Sequence, residues 1–160
     1  MNRLLFLLIL AMALTSCDKS VVFEKYVSIP EETWNADSLA EFNINVTDTT
    51  KAYNLYVNVR NTVYYPYQNI YFFIDVYSPS GATLRDTLEC YLADEKGKWL
   101  GKGNGNLRDN RFGYRTGVKF STAGNFRFDI QQAMRVQKLK GIANIGFRVE
   151  EAKKATSKVN

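Results

Sequence analysis

From Val21 onward, apolar and polar residues alternate almost one for one. In "EFNINVT", Phe42, Ile44 and Val46 share one face, and Asn43, Asn45 and Thr47 share the other. "YNLYVNVR" sets Tyr53, Leu55, Val57 and Val59 against Asn54, Tyr56, Asn58 and Arg60. Ile70, Phe72, Ile74 and Val76 align in "NIYFFIDVY", and Phe112, Tyr114, Val118 and Phe120 in "RFGYRTGVKF". "NFRFDI" and "ANIGFRVE" continue the pattern through Phe126, Phe128, Ile130, Ile145, Phe147 and Val149. A period of two is that of a strand with one buried face. With weaker runs near Phe23 and Leu88, the pattern predicts about eight strands.

Turn signals punctuate these runs. Asp48-Thr49-Thr50-Lys51 and Ser78-Pro79-Ser80-Gly81 read as hairpin-like connections, and Ala123-Gly124-Asn125 as a tight turn. One stretch, "DIQQAMRVQKLKG", breaks the period and predicts a short helix capped by Gly141. No strand alternates with a long helix, which argues against a parallel sheet. Clean alternation suits antiparallel sheets with one wet face, and two such sheets make a sandwich. The expected fold is therefore an all-β antiparallel β-sandwich over residues 21–150, jelly-roll-like or immunoglobulin-like. The polar tail, residues 151–160, is expected to be flexible. The length of 160 residues fits one domain, and the aromatic share of 14 % fits strands.

The first segment obeys a different pattern. Arg3 precedes an unbroken apolar run of eleven residues, Leu4 to Leu14. Spanning a bilayer takes ~20 residues, so this run has the length of a signal-peptide core instead. Leu14-Thr15-Ser16-Cys17 resembles the bacterial lipobox: an aliphatic residue, two small residues, then Cys. The resemblance implies a diacylglyceryl group on the Cys17 thiol, cleavage before Cys17, and acylation of the new amine by a palmitate-type chain. That chemistry needs a sulfur nucleophile, and Ser would not serve. Residues 1–16 are then a lipoprotein signal peptide and residues 17–20 a lipidated tether. The bland alternative is an ordinary secretory signal with a Cys nearby by chance.

Composition narrows the chemistry. The chain has no histidine and two cysteines, Cys17 and Cys90. Ser-His-Asp and Cys-His catalysis are excluded, and the commonest metal ligand is missing. A Cys-rich zinc site is excluded as well. No metal, cofactor, small-molecule substrate or enzymatic activity is expected. The net charge is +5, but Lys and Arg are spread along the chain. This reads as a solvated basic surface, with weak attraction to anionic lipid as the alternative and no nucleic-acid partner. Cys90 shares a face with Leu84, Leu88 and Leu92, so a buried, inert thiol is expected.

Three other features bear on function. "KGKWLGKGNGN" is rich in glycine, but its spacing fails the phosphate-loop pattern and no helix follows. Its Trp99 either anchors the loop or is presented for binding. "TVYYPYQNIY" groups Tyr64, Tyr65, Tyr67 and Tyr71 around Pro66. Such rings can stack on sugars or on proline-rich peptides, or they simply pack at a strand end. Scattered acids, Asp75, Asp86 and Asp129 among them, could meet as a hydrolase pair, although solvated charge is the plainer reading. Asp37-Ser38-Leu39, Asp48-Thr49-Thr50 and Asp86-Thr87-Leu88 resemble the short O-glycosylation motif of Bacteroidota.

With these stretches placed, the chain resembles the GldH family of gliding-motility lipoproteins from the Bacteroidota. The resemblance rests on Cys17 after the lipobox, "WNADSLAEF" (Trp34 to Phe42), "VRN" (Val59 to Asn61) and "YPYQNI" (Tyr65 to Ile70). It continues through "DTLE" (Asp86 to Glu89), "LADEKGKWLGKG" (Leu92 to Gly103) and "AMRVQKLKGIANIGFRVE" (Ala133 to Glu150). It implies a non-enzymatic envelope lipoprotein tied to gliding and to the type IX secretion machinery. Cys17 is the one residue to which it assigns a chemical role, lipid attachment. Partners are then the membrane, through that lipid, and proteins of the gliding and secretion machinery. The favoured location is the outer membrane, on its periplasmic leaflet rather than the cell surface. A glycan-binding lipoprotein using Tyr64, Tyr65, Tyr67 and Trp99 is the alternative.

Overall fold

Period-two sequence becomes strand wherever the apolar face can be covered, and here two such faces cover each other. The computed structural model describes residues 20–153. The signal peptide, Cys17 and all of the tail beyond residue 153 lie outside the described residues. The first half of the domain supplies β1 (Val21–Ser28), β2 (Thr33–Asn35), β3 (Ala40–Val46), β4 (Tyr53–Thr62) and β5 (Asn69–Tyr77). The second half supplies β6 (Thr83–Tyr91), β7 (Leu107–Val118), β8 (Gly124–Gln132), β9 (Lys138–Lys140) and β10 (Ile142–Glu151).

One four-stranded sheet has the order β1-β10-β4-β7 and the other β3-β8-β5-β6, with β2-β9 as a short separate pair. Every pairing is antiparallel, and the pairs are nested: β1 with β10, β2 with β9, β3 with β8, β4 with β7, β5 with β6. The chain is thus one long ribbon folded at Ser78–Gly81 and wound into two sheets. That strand order is a jelly roll, which decides between the two sandwich types.

The eight long strands match the alternation. On the inner faces Phe42, Ile44, Leu55, Val57, Phe72, Ile74, Phe128 and Phe147 are all buried. Phe147 joins the two sheets, with its ring centroid 4.7 Å from that of Phe128 and 5.7 Å from that of Phe42. Cys90 is 1 % exposed, and burial pushes its thiol up to about 12, far from the thiolate needed for reaction.

Two local expectations are corrected. "DIQQAMRVQKLKG" forms no helix: it is the end of β8, a turn, and β9. Gln132 explains the turn, because its Oε1 accepts from the Met134 N–H at 2.8 Å and its Nε2 donates to the Val136 carbonyl at 2.8 Å. These bonds replace the backbone ladder a helix would supply, and β9 pairs with β2. Gly141 caps no helix. It has φ +87°, and a Cβ there would lie 2.7 Å from Tyr65 Cα, so only glycine lets the β4–β5 loop pack against this turn. The second correction concerns Asp48–Lys51, which is not a hairpin but carries the chain from β3 in one sheet to β4 in the other. Asp48 holds it by accepting from the Thr50 N–H at 2.9 Å and the Thr50 hydroxyl at 2.6 Å.

β6 and β7 are edge strands of different sheets, and Asp86 clamps them. It accepts from the Tyr114 hydroxyl and, at 2.6 Å, from Arg115 Nη2. Burial pushes the Asp86 carboxyl up, but the Tyr114 and Arg115 bonds outweigh it and hold its pKa below the usual value. A carboxylate with a depressed folded pKa contributes stability above its unfolded pKa, about 3.9, and loses it as pH falls through the folded value. This contribution to the melting temperature should therefore be lost progressively as the pH falls below about 5. Asp86→Asn should cost about 1–2 kcal/mol at neutral pH and show a shallower fall in a pH series of thermal melts.

Candidate functional site

Strand direction gives the sandwich two distinct ends. β1 begins at one end, where β10 finishes, and the Glu151 N–H donates to the Ser20 carbonyl at 2.7 Å. The β3–β4, β5–β6 and β7–β8 connections lie at this same end. Ser20 follows Cys17 by three residues in the sequence, so the N-terminal segment joins the domain at this end. The opposite, distal end carries the 3₁₀ turn Pro30–Glu32, the β2–β9 pair, the β4–β5 loop and the long glycine-rich loop between β6 and β7.

The distal end holds every candidate contact residue named from the sequence apart from Cys17, but it does not present them equally. Tyr64 is 74 % exposed and Tyr67 38 %. Tyr65 is buried: its hydroxyl donates to the Asn69 carbonyl at 2.9 Å, and its ring meets Tyr67 edge-on at 5.7 Å. Tyr65 therefore holds the loop in place rather than contacting a partner directly. Trp99 is half-buried, packs on the core and forms a β-bridge with Ala93. It is the root of the glycine-rich loop, and the neighbouring Leu100 is the exposed residue. Gly103 lets that loop close on β7, for a Cβ there would lie 2.5 Å from the Leu107 carbonyl oxygen.

Phe73, Thr87, Met134 and Val136, not singled out from the sequence, extend this surface beyond Tyr67 and Tyr71. On the outer face of β5, Tyr71 and Phe73 join Tyr67, Thr87, Met134 and Val136 around a groove of about 530 Å³. Arg85 lies 5.4 Å above the Phe73 ring and makes two 2.6 Å bonds to the Asp75 carboxylate. At the end of β6, Glu89 accepts from Asn69 Nδ2 at 2.7 Å, and the Tyr71 hydroxyl, with Asn69, holds its carboxyl below the usual range. The signal was available: "YFF" puts aromatic rings on both faces of a strand whose second face should be wet.

Further down this face three carboxylates oppose one another across the sheet. Asp129 pairs in register with Glu41 on one side and Asp75 on the other. Asp75 is engaged by Arg85. Asp129 is 2 % exposed, its Oδ2 lies 3.2 Å from Arg127 Nε without hydrogen-bond alignment, and its Oδ1 has no hydrogen-bond partner. Arg127 in turn stacks 4.2 Å above Tyr77. This is a closed sheet surface bound up with arginines rather than two carboxylates facing across a cleft. Among the described residues, no group of three or more His, Cys, Asp or Glu is arranged to hold a metal ion, and no helix is long and apolar enough to cross a membrane.

The strand order of the described residues defines the class, a β-sandwich of jelly-roll topology. The chain belongs to the GldH lipoprotein family, whose model matches residues 21–149. It is 39 % identical over 145 residues to the gliding motility lipoprotein GldH homolog of Christiangramia forsetii, covering 86 % of this chain and 88 % of that one. It is 38 % identical over 152 residues to the gliding motility lipoprotein GldH of Flavobacterium johnsoniae, covering 91 % of this chain and 94 % of that one. Among solved structures, the tobacco streak virus coat protein aligns over 91 % of this chain and 98 % of that one. Its TM-score is 0.26 at 10 % identity, too low to bear on the fold or function.

Burial of Asp129 pushes its carboxyl pKa up, and Glu41 and Asp75 add to the rise. A raised carboxyl costs stability once ionised, so the cost appears as pH rises above about 4. Asp129→Asn should therefore stabilise the protein at pH 7 by about 0.5–1 kcal/mol, and the gain should vanish in acid. Urea unfolding at the two pH values checks both parts.

Proposed function

We propose that this lipoprotein is a non-catalytic adaptor or assembly factor of the gliding and type IX secretion machinery. Lipid on Cys17 holds it at the outer membrane, on the periplasmic leaflet. The observation that carries the reading is the polarity of the domain. Leu39, Tyr64, Tyr67, Tyr91, Leu100 and Leu107 are exposed at or near the distal end, whereas Val22 and Leu84 are the large exposed apolar residues near the anchor. Exposed apolar residues gathered on one part of a surface mark contact with another protein. A strand of ten residues spans about 30 Å, so the distal end can stand that far above the leaflet. The names of the two relatives supply the link to gliding. The arginine-bound carboxylates of the outer sheet favour a structural over a catalytic use of those acids.

The aromatic groove beside Met134 favours a second reading, a glycan-binding lipoprotein. Rings at Tyr67 and Tyr71 offer flat apolar faces, and Thr87 and Arg135 offer hydroxyl and guanidinium groups beside them.

Two experiments test the proposal. A Cys17→Ala variant should leave the membrane fraction or remain uncleaved, and should fail to restore spreading to a null strain. Full restoration would refute the anchored role. Photo-crosslinkers at Tyr64 and Leu100 in native membranes should capture subunits of the machinery, while one at exposed Arg85 should capture far less. Equal capture at all three positions would remove the distal end from the argument. A glycan array whose signal disappears in Tyr67→Ala and Tyr71→Ala would favour the second reading, and protease shaving of whole cells reports the leaflet.

A further inference from the structure

The anchor end carries a hollow of about 540 Å³ lined by Thr50, Lys51, Lys119, Glu151 and Lys153. Its residues come from three separate parts of the chain: the β3–β4 loop, the residue after β7, and the end of β10 together with Ala152 and Lys153. Lys51 is occupied, with Nζ 2.9 Å from Glu151 Oε2 and 4.0 Å from Asp48 Oδ2. Lys119 and Lys153 have no ion-pair partner among the described residues. Two lysines without an ion-pair partner among the described residues thus line a hollow that contains one satisfied ion pair.

The chain itself locates this hollow relative to a membrane. Glu151, in its wall, is bonded through its N–H to the Ser20 carbonyl. Cys17 precedes Ser20 by three residues, so it can lie no more than about 10 Å from Ser20. A lipid on Cys17 therefore holds the hollow within roughly 15 Å of the bilayer surface, close enough for lysine side chains to reach the headgroups. The sequence also places Lys19 just before β1 and Lys154 just after Lys153, and half-exposed Val22 stands at the same end.

We propose that this hollow is a headgroup-binding foot: Lys119 and Lys153 dock the phosphates of anionic lipids in the leaflet that holds the Cys17 anchor. Lysine suits this role because its charge sits at the tip of a long apolar stem that can reach the headgroup plane. Contact at the lipid and at the foot fixes two points of the domain instead of one. A single point of attachment lets the sandwich tumble, whereas the second contact holds it upright and turns Tyr64 and Leu100 away from the membrane. The proposal rests on the anchored reading above and adds the lipid chemistry and the orientation to it.

The test uses full-length lipidated protein in two sets of vesicles, one of neutral phosphatidylcholine and one with phosphatidylglycerol added. Lysines are labelled with an amine-reactive reagent and read by peptide mass spectrometry. Lys119 and Lys153 should react about fivefold more slowly in the anionic vesicles, while distal Lys96, Lys98 and Lys138 react equally in both. About 1 M salt, with a screening length of about 3 Å, should remove the difference. In Lys119→Gln/Lys153→Gln, the distal lysines should lose their uniform exposure and show partial protection as the domain tilts. Equal reactivity of Lys119 and Lys153 in both vesicles, on protein shown by intact mass to carry lipid, overturns the foot and leaves the anchor standing. Protein whose mass lacks lipid overturns both.

Discussion

The fold depends on one constraint: a single antiparallel ribbon, nested about the Ser78–Gly81 turn, in which each strand of the first half must find its partner in the second. Winding that ribbon sends successive pairs to opposite sheets, so the sheets are stitched together by nearly every connection. Phe147, near the end of the chain, then packs on Phe42 and Phe128 across the gap. The same winding brings the two limits of the described chain together, as the Glu151–Ser20 bond shows. The two-ended character of the domain, on which the proposed separation of anchor from contact surface rests, comes from strand pairing rather than from any local motif.

Much of this was legible in the alternation, because a period of two reports directly on which face is buried. Phe42, Leu55, Phe72 and Phe128 are core for that reason. What alternation cannot report is which sheet a strand joins, since both inner faces have the same composition. Asp48–Lys51 therefore looks like a hairpin from within, although it crosses between sheets. The segment after Ile130 misleads for another reason. Its spacing of Ile130, Ala133 and Met134 mimics a helical face, while the bonds that decide it come from one side chain, Gln132. The candidate surface was partly legible. Tyr64 and Tyr67 are exposed, but Tyr65 lies between them in the core, and nothing in "YYPY" separates the three. The groove formed by Tyr71, Phe73 and Met134 depends on β8 lying beside β5, a pairing between positions far apart in the chain.

The outer face of the β3-β8-β5-β6 sheet departs from the consistency seen elsewhere. Opposed carboxylates across a sheet repel, and a buried carboxylate with an unpartnered oxygen costs more than a solvated one. Arg85 and Arg127 offset this, each held over an aromatic ring that limits its freedom. The arginines therefore order a surface whose acids would otherwise disfavour folding. They also occupy the faces of Phe73 and Tyr77, which leaves the upper part of the sheet, around Tyr67 and Tyr71, as its open aromatic region.

A lipoprotein faces a mechanical problem that a soluble adaptor does not. Its anchor restrains position but not orientation, and a sandwich free to rotate about a short tether offers its partner the wrong side for much of the time. Restricting rotation raises the fraction of encounters that are productive, which acts as a gain in effective concentration without any new contact to the partner. The jelly roll is suited to this because its loops divide into two sets at opposite ends of rigid strands. One set can be specialised for the lipid surface by lysines, and the other for recognition by tyrosines and leucines. The glycine-rich loop belongs to the second set, and Trp99 roots it in the core, so the exposed Leu100 is carried on a support continuous with the sandwich rather than on a free loop.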